Sequence, residues 1–321
     1  MSARRNIEVP DLVAAARAGL EDSRSVRAVA RLISLVEEAS PRLREVMTAL
    51  APYVGHAQVI GITGAPGVGK STTTNALVRE LRAAGRRVAV LAVDPSSPFS
   101  GGALLGDRIR MTDHASDPGV FIRSMASRGH LGGLSWSTPQ AIRVLDGAGF
   151  DVVLVETVGV GQSEVEIAGL ADTTLVLLAP GMGDGIQAAK AGILEIGDLY
   201  VVNKADRDGA AKVRRDLRSA LALAARSEHA WRPPVLMVTA QRHQGLEDLA
   251  AEIEEHRAWL EESGALAARR ARRAREEVEA IAVAALRSRW ELQGRDRLDE
   301  LASAVATGTM DPYAAADELL G

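Results

Sequence analysis

The chain reads Gly64-Ala65-Pro66-Gly67-Val68-Gly69-Lys70-Ser71 immediately after Gln58-Val-Ile-Gly-Ile-Thr63 and immediately before Thr72-Thr-Thr-Asn-Ala-Leu-Val-Arg-Glu-Leu81. The eight residues fit G-x-x-x-x-G-K-[ST] with no substitution at a fixed position, in the strand, loop, helix order that the pattern needs. Glycines let the backbone turn tightly enough for several N–H groups to face one anion. The helix that follows brings the positive end of its dipole to the same place. In such a loop Lys70 reaches the β- and γ-phosphates as a mobile charge, and the Ser71 hydroxyl holds Mg2+. Gly64 to Thr72 are therefore the candidate cradle of a nucleoside triphosphate. A chance glycine-rich turn has no reason to be framed by a strand and a helix.

Working outward, continuous apolar runs recur at Arg87-Val-Ala-Val-Leu-Ala-Val93, Asp151-Val-Val-Leu-Val-Glu156, Thr173-Thr-Leu-Val-Leu-Leu-Ala179, Leu199-Tyr-Val-Val202 and Val235-Leu-Met-Val238. Alternating with helical stretches, they predict an α/β fold: a P-loop NTPase with a mostly parallel sheet covered by helices on both faces. Ligands of such sheets sit at the carboxyl ends of the strands. Asp94, Glu156 and Asn203 each close a run there.

Asn203-Lys204-Ala205-Asp206 is the N-K-x-D pattern of guanine readers. An Asp206 carboxylate accepts from guanine N1–H and N2–H2, a donor pair that adenine lacks. A bidentate base contact of this kind discriminates by about 1–3 kcal/mol. Thr239 and Ala240, ending the last run, suit the backbone loop that completes such a pocket. Asp94 and Glu156 are placed for metal and water, since Mg2+ takes one or two carboxylates beside phosphate oxygens and waters. Gly159 is placed to offer a backbone N–H to the γ-phosphate, which makes a loop sensitive to hydrolysis. The competing reading of each acid is a helix cap or a solvated loop charge.

Composition narrows the alternatives. The 321 residues are 47% hydrophobic but 3% aromatic, which predicts a core of Ala, Val, Leu and Ile. A formal charge of −4 provides no basic field for nucleic acid and no polybasic patch for membrane. No run approaches the roughly 18 apolar residues of a spanning helix, and Glu8, Pro10 and Asp11 interrupt any leader core behind Arg4 and Arg5. The absence of cysteine excludes disulfides, thiolate metal sites and Cys nucleophiles. The six histidines lack ligand spacing and read as surface or ordinary packing residues. A cytoplasmic protein without nucleic-acid or membrane partners is the expectation.

Three divisions follow: residues 1–56, a helical segment; residues 57–262, the nucleotide domain; residues 263–321, a helical arm. In the first, Val26, Val29, Ala30, Ile33 and Val36, then Leu43, Val46, Met47 and Leu50, recur at helical spacing. Ser40-Pro41 is read as the cap and first residue of the later helix. In the arm, Gly264 breaks one helix and Ala265 to Trp290 forms another. Its arginines 269, 270, 272, 273 and 275 precede Glu276, Glu277 and Glu279, an ion-paired solvated face rather than a nucleic-acid arm. Ile281, Val283, Leu286 and Trp290 are its apolar side, and a last helix runs from Asp311-Pro-Tyr313 to Leu320.

Taken together, Gly64–Thr72, Asp94–Asp107 with Ser100-Gly-Gly102 and Leu105-Gly-Asp107, Arg128-Gly-His-Leu-Gly-Gly133, Glu156-Thr-Val-Gly-Val-Gly-Gln-Ser-Glu164, Pro180-Gly-Met-Gly-Asp184 and Asn203-Lys-Ala-Asp206 resemble the MeaB/ArgK group of P-loop GTPases. The human member of that group is the methylmalonic aciduria type A protein. The resemblance implies a homodimeric, Mg2+-dependent GTPase cycling between GTP and GDP. It would chaperone an adenosylcobalamin-dependent acyl-CoA mutase, chiefly methylmalonyl-CoA mutase, gating cofactor loading and protecting the enzyme. It also implies that Asp94 and Asp107 are first-switch acids near the metal, that Glu156 is the second-switch acid, and that Pro180 to Lys190 is a third switch reporting to the mutase. Gly185 stands where many relatives carry an acid, and Ser124 where proline is common. No glutamine follows Gly159 directly, although Gln162 is near, so weak intrinsic hydrolysis accelerated by a partner is expected. A kinase of a periplasmic amino-acid-binding protein, an old label in the group, is the alternative. A metal-delivery GTPase is a third reading, disfavoured by the lack of Cys and clustered His.

Overall fold

The structure is a computed structural model, described for residues 8–19, 22–95, 114, 116–127, 137–157, 163–181, 195–223 and 230–320. Seven strands form one parallel sheet: β1 (Gln58–Thr63), β2 (Val88–Pro95), β3 (Val120–Ser127), β4 (Val152–Thr157), β5 (Thr173–Leu178), β6 (Leu199–Val202) and β7 (Val235–Met237), in the order β3-β2-β4-β1-β5-β6-β7. β1 is central, flanked by β4 and β5, with Ile62 opposite Glu156 on one side and Thr63 opposite Val176 on the other.

Both faces of the sheet are covered, which is why its strands read as unbroken apolar runs. One face presents Val59, Leu91, Val153 and Val155 to the N-terminal helices α1 (Val9–Arg17), α2 (Ser23–Glu37) and α3 (Leu43–Leu50), and to α5 (Ser137–Gly147) and α6 (Ser163–Leu170). The other presents Ile60, Ile62, Val90, Leu154, Leu177 and Val201 to α4 (Lys70–Ala83) and α8 (Leu246–Glu262). On the face opposite α4 and α8, α7 (Ala210–Ala222) packs Leu217 on Val176, Tyr200 and Val202.

Several particulars depart from the sequence reading. β3 was not among the expected strands. It is an edge strand, and Arg123 and Ser124 interrupt its apolar run. Arg123 reaches Ser34 and Glu37 of α2, fastening that helix to the sheet edge. Val26 is 37% exposed rather than on the buried side of α2. Ser40 and Pro41 form a turn, in which Ser40 Oγ accepts from Arg42 N–H at 3.3 Å, and α3 starts at Leu43. At the far end of α4, Arg82 grips Asp117 with two bonds of 2.9 Å, and Asp117 also accepts from Gly119 N–H. These donors, Arg82 above all, outweigh partial burial and hold the Asp117 carboxyl below its ordinary value.

The chain divides into two compact units, Met1–Ala267 and Ala268–Gly321. Gly264, at φ +73°, separates α8 from α9 (Ala265–Ala306), which runs sixteen residues beyond the expected end at Trp290. Within the second unit Arg297 joins α9 to α10 (Pro312–Leu320) through Glu318, with Leu301 and Ala315 buried. Val278, Ile281, Val283 and Leu286 are exposed. No helix among the described residues is long and apolar enough to cross a membrane.

Candidate functional site

The loop after β1 has the turn its glycines foretell. Gly64 adopts φ +140°, and an added Cβ would lie 2.3 Å from the Leu177 carbonyl oxygen of β5. Gly69 caps α4 at φ +97°, where a Cβ would meet Asn203 Nδ2 at 2.3 Å. Both positions therefore exclude a side chain on space as well as on dihedral grounds. Lys70 is buried, and its ammonium donates to Gly64 O at 2.7 Å and Ala65 O at 3.2 Å. Val68 N–H donates to Ala65 O, which closes the loop between Pro66 and Gly67.

Glu156, at the end of β4, is 3% exposed. Its Oε1 accepts from Ser71 Oγ at 2.6 Å and its Oε2 from Thr74 Oγ1 at 2.9 Å. The structure thus brings two of the candidate metal ligands, Ser71 and Glu156, into direct contact. A hydroxyl beside a carboxylate is an all-oxygen donor set, which fits a hard cation such as Mg2+. Thr74 was not foreseen. The available signal was a hydroxyl three residues beyond Ser71, on the same face of α4. Thr157 Oγ1 bonds Thr63 Oγ1 at 3.2 Å, tying the ends of β4 and β1 beneath the loop. Asp94 is placed by its backbone, in β2 opposite Ala126. Asp107 and Gly159 lie outside the described residues, as do residues 182–190 of the expected third switch. Thr72 is the third residue of α4.

The candidate guanine-reading residues converge on the same loop. Asn203, 3% exposed, follows β6 and makes three bonds: its Nδ2 donates to Val68 O at 2.9 Å, while its Oδ1 accepts from Lys204 N–H at 2.8 Å and Ala240 N–H at 3.2 Å. One side chain therefore joins the phosphate loop to the loop after β7. Lys204, at φ +56°, sends its ammonium to Gly67 O at 2.7 Å. Ala205 N–H bonds Val238 O, and Thr239 bridges Gln244. Asp206, 31% exposed, faces Arg242 at 3.4 Å, a partner that no sequence pattern announced. Its carboxylate is open enough for a base to reach.

A family described as "Methylmalonyl Co-A mutase-associated GTPase MeaB" matches residues 29–294. A putative GTPase of Pyrococcus abyssi is 48% identical over 297 residues, 92% of each chain. The mitochondrial methylmalonic aciduria type A homolog of Mus musculus is 38% identical over 259 residues, 75% of this chain and 62% of that one. Among solved structures, one described as LAO/AO transport system kinase superposes with a TM-score of 0.74 at 29% identity, covering 99% of this chain and 98% of its own.

Proposed function

The chain belongs to the MeaB family of GTPases, and from that premise we propose that it is a Mg2+-dependent GTPase switch that chaperones an adenosylcobalamin-dependent acyl-CoA mutase, methylmalonyl-CoA mutase foremost. The observation that carries the nucleotide half of this reading is Asn203, which fastens the phosphate loop and the guanine loop to one buried amide. The mutase half is supported by the family description and by the name of the mouse relative.

In this reading the loop amides of residues 64–71 face the phosphates, and Lys70 exchanges its Gly64 and Ala65 carbonyls for phosphate oxygens. Ser71 and Glu156, with Asp94 and Asp107, would hold Mg2+, which neutralises charge on the β- and γ-phosphates when bound. Asp206 accepts from the guanine edge beside Arg242, and Thr239 and Ala240 close the pocket. Gly159 reports the γ-phosphate, and residues 180–190 carry that state to the mutase. The exposed Val278, Ile281 and Leu286 of α9 support a homodimer built on the C-terminal arm.

The test is GTP and ATP hydrolysis with and without methylmalonyl-CoA mutase, with Lys70→Ala as the baseline. GTP preference, stimulation by the mutase and a loss of about 10²–10³ in Lys70→Ala turnover are expected. Equal ATP and GTP turnover would refute the base assignment, and a fast, mutase-insensitive rate would refute the partner-accelerated switch. The kinase description of the similar solved structure motivates one further arm. Transfer of labelled γ-phosphate to an amino-acid-binding protein would replace this reading with the kinase one.

A further inference from the structure

Two threonines in the first turns of α4, Thr73 and Thr74, have hydroxyl partners that differ in kind. Thr73 Oγ1 turns back to Gly69 O at 3.0 Å, a bond within its own helix. Thr74, fully buried, reaches across to the sheet and donates to Glu156 Oε2 at 2.9 Å. The same hydroxyl lies 3.0 Å from Lys70 O. A hydroxyl has one proton, and the carboxylate is the stronger acceptor of the two.

The carboxylate of Glu156 is thereby held at both oxygens, Oε1 by Ser71 and Oε2 by Thr74. The terminal bond of a carboxyl group is a soft torsion, and two hydroxyls on one helix face, one at each oxygen, oppose its rotation. The β-branch of Thr74 further limits its own rotation. The phosphate-loop pattern makes no demand at this position, since its last fixed residue is Ser71.

We infer that Thr74 is a positioning residue for the metal of the nucleotide complex: it fixes Glu156 so that Ser71 Oγ and the carboxylate are presented together. The inference rests on the Mg2+–guanine nucleotide reading of the site. Thr74 acts through Glu156 and need touch neither phosphate nor metal. Groups that orient metal-binding side chains cost about 10–100-fold in metal affinity when removed.

The full-length chain is compared with Thr74→Val, which keeps the shape and loses the donor, and with Thr74→Ser, which keeps the donor. Binding of a fluorescent GDP analogue is measured across a Mg2+ titration and again in excess chelator. For Thr74→Val the Mg2+ concentration at half-effect rises about tenfold or more, the affinity in chelator stays at the parent value, and Thr74→Ser restores the Mg2+ response. Should Thr74→Val melt below the assay temperature, Thr74→Cys, with a weak S–H donor, takes its place and falls between parent and chelator behaviour. An unchanged Mg2+ titration overturns the inference. So does an equal loss with and without Mg2+, which marks a merely structural residue, or a Thr74→Ser variant that fails to recover. A parent chain that binds the analogue without any Mg2+ dependence overturns the underlying reading of the site instead.

Discussion

Replacing Asn203 with alanine removes one buried side chain and orphans three backbone groups: Val68 C=O, Lys204 N–H and Ala240 N–H. Each hydrogen bond is worth about 0.5–1.5 kcal/mol net, and a buried group left unpaired costs about 1–3 kcal/mol. Water entering the vacated volume recovers part of this, so the expected loss is about 2–4 kcal/mol. For a unit of this size each kcal/mol lowers Tm by about 2–4 °C, giving a drop of about 5–15 °C by calorimetry. GDP binding should weaken in parallel, because two loops lose their common anchor. Asn203→Asp sharpens the test. It preserves an acceptor for Lys204 and Ala240 but sets a carboxylate oxygen against Val68 O, where the amide donated. It should be at least as damaging as alanine at neutral pH, and should recover as the pH falls and the carboxyl gains a proton to donate. A Tm within a degree or two of the parent for Asn203→Ala, or an aspartate variant milder than the alanine one at pH 7, would refute the reasoning.

Three further outcomes are expected. Asp206→Asn should cut the preference for GTP over ATP by about 5- to 150-fold while phosphate affinity holds, as competition binding with GTP, ATP and pyrophosphate will measure; undiminished selectivity contradicts the base assignment. Gly64→Ala combines a strained positive φ with a contact of 2.3 Å to Leu177 O, so chemical denaturation should report a loss of about 2–4 kcal/mol, together with loss of nucleotide binding. Because Arg82 lowers the Asp117 carboxyl below its ordinary 3.8, the ionised pair stabilises the fold above that pH and loses its contribution as pH falls through the lower, folded value. Asp117→Asn should therefore cost about 1–2 kcal/mol at neutral pH, allowing for partial exposure, with the difference shrinking in acid denaturation below about pH 4.

Much of the molecule was legible in the chain because the information is local. The phosphate loop is written in consecutive residues whose glycines answer to backbone dihedrals. The strands β1, β4, β5 and β6 were visible because a parallel sheet covered on both faces demands unbroken apolar runs. β3 escaped for the converse reason: at the edge, with one ladder neighbour, it carries Arg123 and Ser124 in mid-strand. The end of α9 was also misjudged. Its apolar residues thin out near Trp290, but the Glu, Leu, Gln and Arg that follow are good helix formers and carry it to Ala306.

The long-range contacts were decided by the tertiary structure alone. Thr74 meets Glu156 across 82 residues, Asn203 meets Val68 across 135, and Arg242 meets Asp206 from a different loop. None of these pairs has a sequence period or a spacing rule. They exist because β4, β1 and β5 lie side by side with β6 next in order, so that the residues closing separate strands share one edge of the sheet. Sequence names the residue types that such an edge requires. Which hydroxyl holds which carboxylate oxygen depends on strand order and register, and these are properties of the assembled sheet.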